Sequence, residues 1–192
     1  MHYCLHLLTN KLPDKDKIAE IMKPYNSELI YSNSEDDTQI IYPVFTWDYY
    51  QIGGRYKAEL KLKADMRDHE NNKYYNWGYY ERQDRNGRLF LSSLLFTLKE
   101  NITPSFMFNE EDWFMNMGFG DGYILVDGAK QSDVLNIDTL ECYICILPDG
   151  SAIARESWDG NDFIKDENFD KKYRQAIADN MNGFITIIDI HD

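Results

Sequence analysis

Three of the four histidines lie at the ends of the chain, His2 and His6 near its start and His191 next to its last residue. An imidazole titrates close to neutral pH, and a carboxylate beside it fixes the ring and favours its protonated form, which makes a usable general base or acid. Phe184–Ile190 is a β-branched run, and Ile185, Ile187, Asp189 and His191 alternate onto one face of it. His2–Thr9 (HYCLHLLT) reads as a second strand, with His2, Cys4, His6 and Leu8 on one face and Tyr3, Leu5 and Leu7 on the other. If these terminal strands are neighbours, His2, Asp189 and His191 meet. The commoner state of a histidine at a strand end is simply hydrogen-bonded or solvated. By type, His2, His6, Asp189 and His191 also suit zinc or another divalent ion. His2 and His6 would stand about 13 Å apart along a strand, too far for one ion. The spacing therefore leaves a metal open, and no cofactor is expected.

The stretch Phe45–Lys63 (FTWDYYQIGGRYKAELKLK) supplies the other chemical groups. Read as a hairpin turning at Gly53-Gly54, it sets Phe45, Trp47 and Tyr49 against Leu62, Leu60 and Ala58. Thr46, Asp48 and Tyr50 then face Lys61, Glu59 and Lys57 on the polar side, with Arg55 directly after the turn. Like charges across a strand pair are destabilising, so Asp48 opposite Glu59 points either to relief by Lys57 and Lys61 or to a carboxyl with a raised pKa. Arg55 after two glycines is either a surface ion-pair partner or a clamp for a phosphate or carboxylate. The expected catalytic set is His2, Asp48, Asp189 and His191. Trp47, Tyr50 and Arg55 are the expected ligand contacts.

These groups need a scaffold, and the chain has 192 residues, 43% of them hydrophobic, enough for one buried core. A single domain over residues 1–192 is expected. Pro13-Asp14 opens a helix with Ile18, Ile21, Met22 and Tyr25 on one face, and Lys23-Pro24 closes it. Ser32–Thr38 is a polar loop. Asp65–Arg88 lacks a clear period and reads as a long excursion, whose aromatics Tyr74, Tyr75, Trp77, Tyr79 and Tyr80 either pack it down or offer a stacking platform. Leu89–Leu98 has leucines at helical spacing and reads as a buried helix. A short helical turn over Asn109–Met117 and a flexible Gly118–Gly122 link follow. Tyr123–Asp127 and Leu140–Leu147 read as strands, and Pro148-Asp149-Gly150 turns the second into Ser151–Ser157. Asn168–Asn180 is a helix with Phe169, Tyr173, Ala176 and Ile177 on one face. The sum is an α+β fold, an antiparallel or mixed sheet with helices on one face, a ferredoxin-like centre being one candidate.

The net charge of −13 is uneven: residues 1–100 carry 14 Lys and Arg against 15 Asp and Glu, and residues 101–192 carry 6 against 18. A surface of that sign repels phosphate backbones, which argues against general nucleic-acid binding. The acidic half reads as a solvated face or as a mimic of nucleic acid toward a basic host partner. No stretch reaches the roughly 20 apolar residues of a membrane span. The start lacks the pattern of a secretory signal, so a cytoplasmic protein is expected. Cys4, Cys142 and Cys145 read as buried free thiols.

At Trp47-Asp48-Tyr49-Tyr50-Gln51-Ile52-Gly53-Gly54-Arg55-Tyr56 the chain resembles a family of small bacteriophage and bacterial proteins with a Trp-Asp-Trp-Tyr-x-Ile-Gly-Gly-Arg-Trp core. His2-Tyr3 is similar to that family's start, and Asp189-Ile190-His191 to its closing Asp-x-His strand. Tyrosine stands for tryptophan at Tyr49 and Tyr56. The resemblance implies no established activity. It implies that His2, Asp48, Tyr50, Arg55, Asp189 and His191 form one recurring constellation. A phage-type accessory protein acting on a small, nucleotide-like anion is the expectation, with hydrolysis slightly preferred. A sponge that sequesters the same ligand and an acidic protein–protein inhibitor are the alternatives, and the oligomeric state is open.

Overall fold

A computed structural model describes residues 1–32, 43–63, 75–83, 85–87, 89–98, 101–104, 123–159 and 161–192. The first strand, β1 (His2–Thr9), lies antiparallel beside the last, β12 (Phe184–His191), with His2 opposite His191 and Cys4 opposite Asp189. The terminal strands are thus neighbours. Around them an eight-stranded mixed sheet runs in the order β3-β7-β12-β1-β8-β9, from β3 (Leu60–Lys63), β7 (Tyr123–Lys130), β8 (Ile144–Ile146) and β9 (Ala152–Ala154). Two short strands sit off this path: β2 (Tyr49–Ile52) pairs with the end of β12, and β6 (Thr103–Pro104) pairs with β7. β1 and β8 run parallel and the other pairs antiparallel. The α+β class holds, with a strand order of its own around the terminal pair.

Period-two alternation explains why the sheet must be covered twice. Leu5 and Leu7 of β1, with Ile188 and Ile190 of β12, pack on Ile18 and Met22 of α1 (Lys15–Met22). Asp14 caps that helix by accepting from the Lys17 N–H at 2.8 Å. Cys4, Leu8, Ile185 and Ile187 point the other way, onto Phe169, Tyr173 and Ile177 of α3 (Phe169–Asp179). A second short helix, α2 (Ser27–Ser32), follows α1. Helices therefore cover both faces, where one was expected, because both central strands are apolar on both sides. Burying each such Leu or Ile side chain stabilises by about 1.5–3 kcal/mol, so neither face can be left to water. Among the described residues, no helix is long and apolar enough to cross a membrane. All three cysteines are buried and free.

The expected hairpin at Gly53-Gly54 does not form. β2 pairs with β12 and β3 pairs with β7, so the chain crosses from one neighbour to another. The two halves of the stretch belong to different cores. Phe45 stacks on Tyr25 at 4.3 Å beside α1, whereas Leu60 and Leu62 are buried on the α3 side. Asp48 and Glu59 are consequently not a cross-strand pair. Leu89–Leu98 is likewise a strand, β5, not a helix. It pairs with β4 (Tyr75–Gln83), which lies inside the stretch read as an irregular excursion. Leucines at helical spacing also fit a continuous apolar strand, and only a partner distinguishes them. β10 (Glu156–Trp158) and β11 (Phe163–Lys165) form another two-stranded sheet. The expectations for residues 33–38, 65–74, 109–117 and 118–122, and for the aromatic side chains between 74 and 80, lie outside the described residues. The readings of α1, α3 and strands at 123–130 and 184–191 hold, and Pro148-Asp149-Gly150 does turn a hairpin, but Leu140–Leu147 is a strand only over β8 and Ser151–Ser157 divides into β9, which pairs with β8, and β10.

Candidate active site

The antiparallel register brings the chain-end histidines face to face. Their ring centroids are 4.9 Å apart at 65°. Each ring is tied to a carboxylate through Nδ1, His2 to Asp189 Oδ1 at 2.9 Å and His191 to Asp48 Oδ1 at 2.8 Å. An ionised carboxylate only accepts, so Nδ1 donates in both pairs and Nε2 is the nitrogen left to exchange a proton. Among the described residues, neither Nε2 has a hydrogen-bond partner. The two pairs differ in setting. His2 is 25% exposed over an Asp189 side chain that is 6% exposed, whereas His191 and Asp48 are 40% and 51% exposed. One dyad is anchored and the other faces solvent.

The glycine bend holds the anchored pair. The second carboxylate oxygen of Asp189 accepts from the Arg55 N–H at 2.9 Å. Gly53 donates to the Ile187 carbonyl at 2.8 Å, and Tyr56 N–H closes the turn onto Gly53 O at 2.9 Å. Both glycines have positive φ, +69° and +53°. A Cβ on Gly54 would lie 2.3 Å from the Asp189 Cβ, and one on Gly53 would lie 2.3 Å from Asp127 Oδ2. The bend is laid directly on two buried carboxylates. Asp127 Oδ1 accepts from the Ala58 N–H at 2.6 Å. The Gly-Gly pair thus serves close approach to acid groups rather than a hairpin turn. The Tyr56 hydroxyl donates to His2 O at 3.2 Å and fixes the start of β1.

The solvent-facing pair is set by Asp48 N–H, which donates to the His191 carbonyl at 3.0 Å. The hydrogen bond from His191 holds the Asp48 carboxyl below its usual pKa. A depressed carboxyl stabilises the fold above its unfolded pKa, and that contribution is lost as pH falls through the folded value. Asp48→Asn should therefore lie below the parent in denaturation midpoint near neutral pH, with the gap closing in strong acid. A gap that is constant across pH would show that this pair does not form.

Of the residues expected at the site, His2, Asp48, Asp189 and His191 come together, and Arg55 joins them through its backbone N–H. The exposed Arg55 guanidinium forms no ion pair among the described residues. Trp47 and Tyr50 do not join. Tyr50 is in register with Ile190, on the α1 side of the sheet, and meets Trp47 edge-on at 4.9 Å. Trp47 donates its indole N–H to Met22 O at 2.8 Å. Both are spent on packing: within β2 the pairing with β12 puts Tyr49 and Gln51, not Tyr50, on the histidine side, and Trp47, which precedes β2, packs beside α1. Tyr49, in register with His191 and 56% exposed, stands where Tyr50 was expected. Sequence reasoning missed it for want of that register.

A cavity of about 640 Å³ adjoins the anchored dyad, its wall including His2, Tyr56, Glu59, Arg155 and Arg174. Glu141 and Asp170 also line it, so acidic and basic groups share its wall. Burial and the charge of Asp127 push the Glu59 carboxyl up to about 6. His6 is apart from the other histidines. It is fully buried, with Nδ1 2.7 Å from the Tyr173 hydroxyl and no partner for Nε2 among the described residues. A buried polar atom left so costs about 1–3 kcal/mol. The four-residue metal set of His2, His6, Asp189 and His191 is not assembled. The described residues bring together Cys4, His6 and Glu59 instead.

Compared with protein-family models, curated proteins and solved structures, the chain matches none of them, so its chemistry is read from its own residues.

Proposed function

We propose that the two histidine–carboxylate pairs are the acid–base centre of an accessory protein of the phage type, one that cleaves a phosphoester bond in a small nucleotide-like anion in the cytoplasm. The observation that carries this reading is the pair of adjacent imidazoles, each anchored at Nδ1 and each offering Nε2. Cleavage of a phosphodiester requires one group to take a proton from the attacking water and another to give one to the departing oxygen. One neutral imidazole and one imidazolium do both. As the new P–O bond forms and the old one breaks, a proton passes to the first ring and another leaves the second, and solvent restores the pair. Asp189 and Asp48 orient the rings and stabilise whichever becomes cationic. The exposed Arg55 guanidinium supplies positive charge for the phosphate oxygens.

Incubation of the purified protein with cyclic dinucleotides, cyclic oligonucleotides and NAD-derived signals, followed by chromatography, tests the proposal. Conversion of one of them to a ring-opened or shortened product is the expected result. Intact ligand recovered from a denatured complex would replace cleavage with sequestration, for which the 640 Å³ cavity beside His2 is the supporting feature. If every compound remains both unchanged and unbound, the nucleotide reading falls.

A further inference from the structure

We propose that Cys4, His6 and Glu59 bind a divalent transition-metal ion of the zinc class, with an open coordination position toward the cavity that Cys4 and Glu59 line. Each of the three offers a donor atom, and these atoms lie within 4.8 Å of one another. Thiolate, imidazole and carboxylate together form a donor set suited to zinc or cobalt, and three protein ligands with one open position mark a site where water or a substrate completes the shell. Tetrahedral bonds of about 2.0–2.3 Å require the donors to close to roughly 3.5 Å of one another. Glu59 is the half-buried member of the three, Cys4 and His6 being buried.

The strand pattern builds two-thirds of this site. Cys4 and His6 are two residues apart in β1 and so share the face that looks toward α3. The crossover after the glycine bend brings Glu59 onto the same side, just before β3. His6 is the member that points to a ligand. It is fully buried, one ring nitrogen is held by the Tyr173 hydroxyl, and the other meets no partner among the described residues. Metal-binding imidazoles are oriented in this way, by a hydrogen bond on the nitrogen that does not bind. Ligation requires a neutral imidazole and a thiolate, so metal binding releases the Cys4 proton to solvent and tightens as pH rises. Cys142 lines the same cavity but lies outside the group of three.

This proposal does not depend on the phosphoester reading, and its test involves no turnover. Chelator-treated full-length protein is titrated with cobalt(II) chloride. One equivalent should bind, with a thiolate-to-cobalt charge-transfer band in the near ultraviolet and visible bands of four-coordinate intensity, and zinc(II) should erase both. Cys4→Ser should lose the charge-transfer band. Glu59→Gln, a change at a half-buried position, should keep the circular dichroism of the parent and bind cobalt at least tenfold more weakly. A folded parent that develops no charge-transfer band would overturn the proposal. So would a band that survives in Cys4→Ser, or a Glu59→Gln variant with parental affinity.

Discussion

Gly54→Ala is expected to destabilise the protein by about 3 kcal/mol, through a clash and a lost hydrogen bond rather than through lost apolar contact. The backbone at Gly54 has φ +53°, and holding alanine in that left-handed region costs about 1–2 kcal/mol. The added methyl would also lie 2.3 Å from the Asp189 Cβ and 2.5 Å from its Oδ2. One of the two must move, and the Arg55 N–H to Asp189 hydrogen bond breaks with it. Hydrogen bonds to charged groups contribute about 1.5–3 kcal/mol, which supplies the rest. For a domain of this size the melting temperature should fall by roughly 6–12 °C. Gly150→Ala is the control. Gly150 also has positive φ, +85°, but nothing lies within 4 Å of the added Cβ, so only the backbone cost applies. Equal losses from the two substitutions would show that Gly54 is not pressed against Asp189.

On the proposed acid–base reading, alanine at His2 or His191 should lower kcat for phosphoester cleavage by about 10²–10⁴-fold, the usual contribution of a positioned general acid or base. KM should change little, since the rings act on protons in transit rather than on ground-state binding. The double variant should be less impaired than the product of the single effects, because neither imidazole works without the other. His191→Ala also removes the hydrogen bond to Asp48, so its kinetics are read at a temperature well below its own denaturation midpoint. A loss under tenfold for both single variants would remove the acid–base assignment and favour sequestration.

Several parts of this arrangement are legible in single segments of sequence. The alternation in Phe184–His191 places Asp189 and His191 on one face without reference to any other strand, and the same holds for His2, Cys4 and His6 in β1. The apolar spacing of Phe169, Tyr173 and Ile177 specifies α3, and Asp14 marks the start of α1 by supplying its cap. In each case the determining interaction is local: an alternating pleat, a 3.6-residue turn, or a side chain reaching three residues along its own backbone.

Partner choice is what a segment does not carry. Gly53-Gly54 is compatible with a hairpin and equally with a crossover, and the outcome is decided by which strands are present to pair. β12 takes β2 and β7 takes β3, since this sends Phe45 to the core beside α1 and Leu60 and Leu62 to the core beside α3. That single choice exchanges Tyr49 for Tyr50 on the histidine side, lays Arg55 N–H on Asp189, and carries Glu59 to Cys4 and His6. By itself the sequence determined the faces of its strands and helices, through periodicities that each segment imposes on its own side chains. The tertiary structure alone decided which faces meet, because burying two apolar surfaces together is a property of the pair and shift by one residue would turn every side chain to the opposite side.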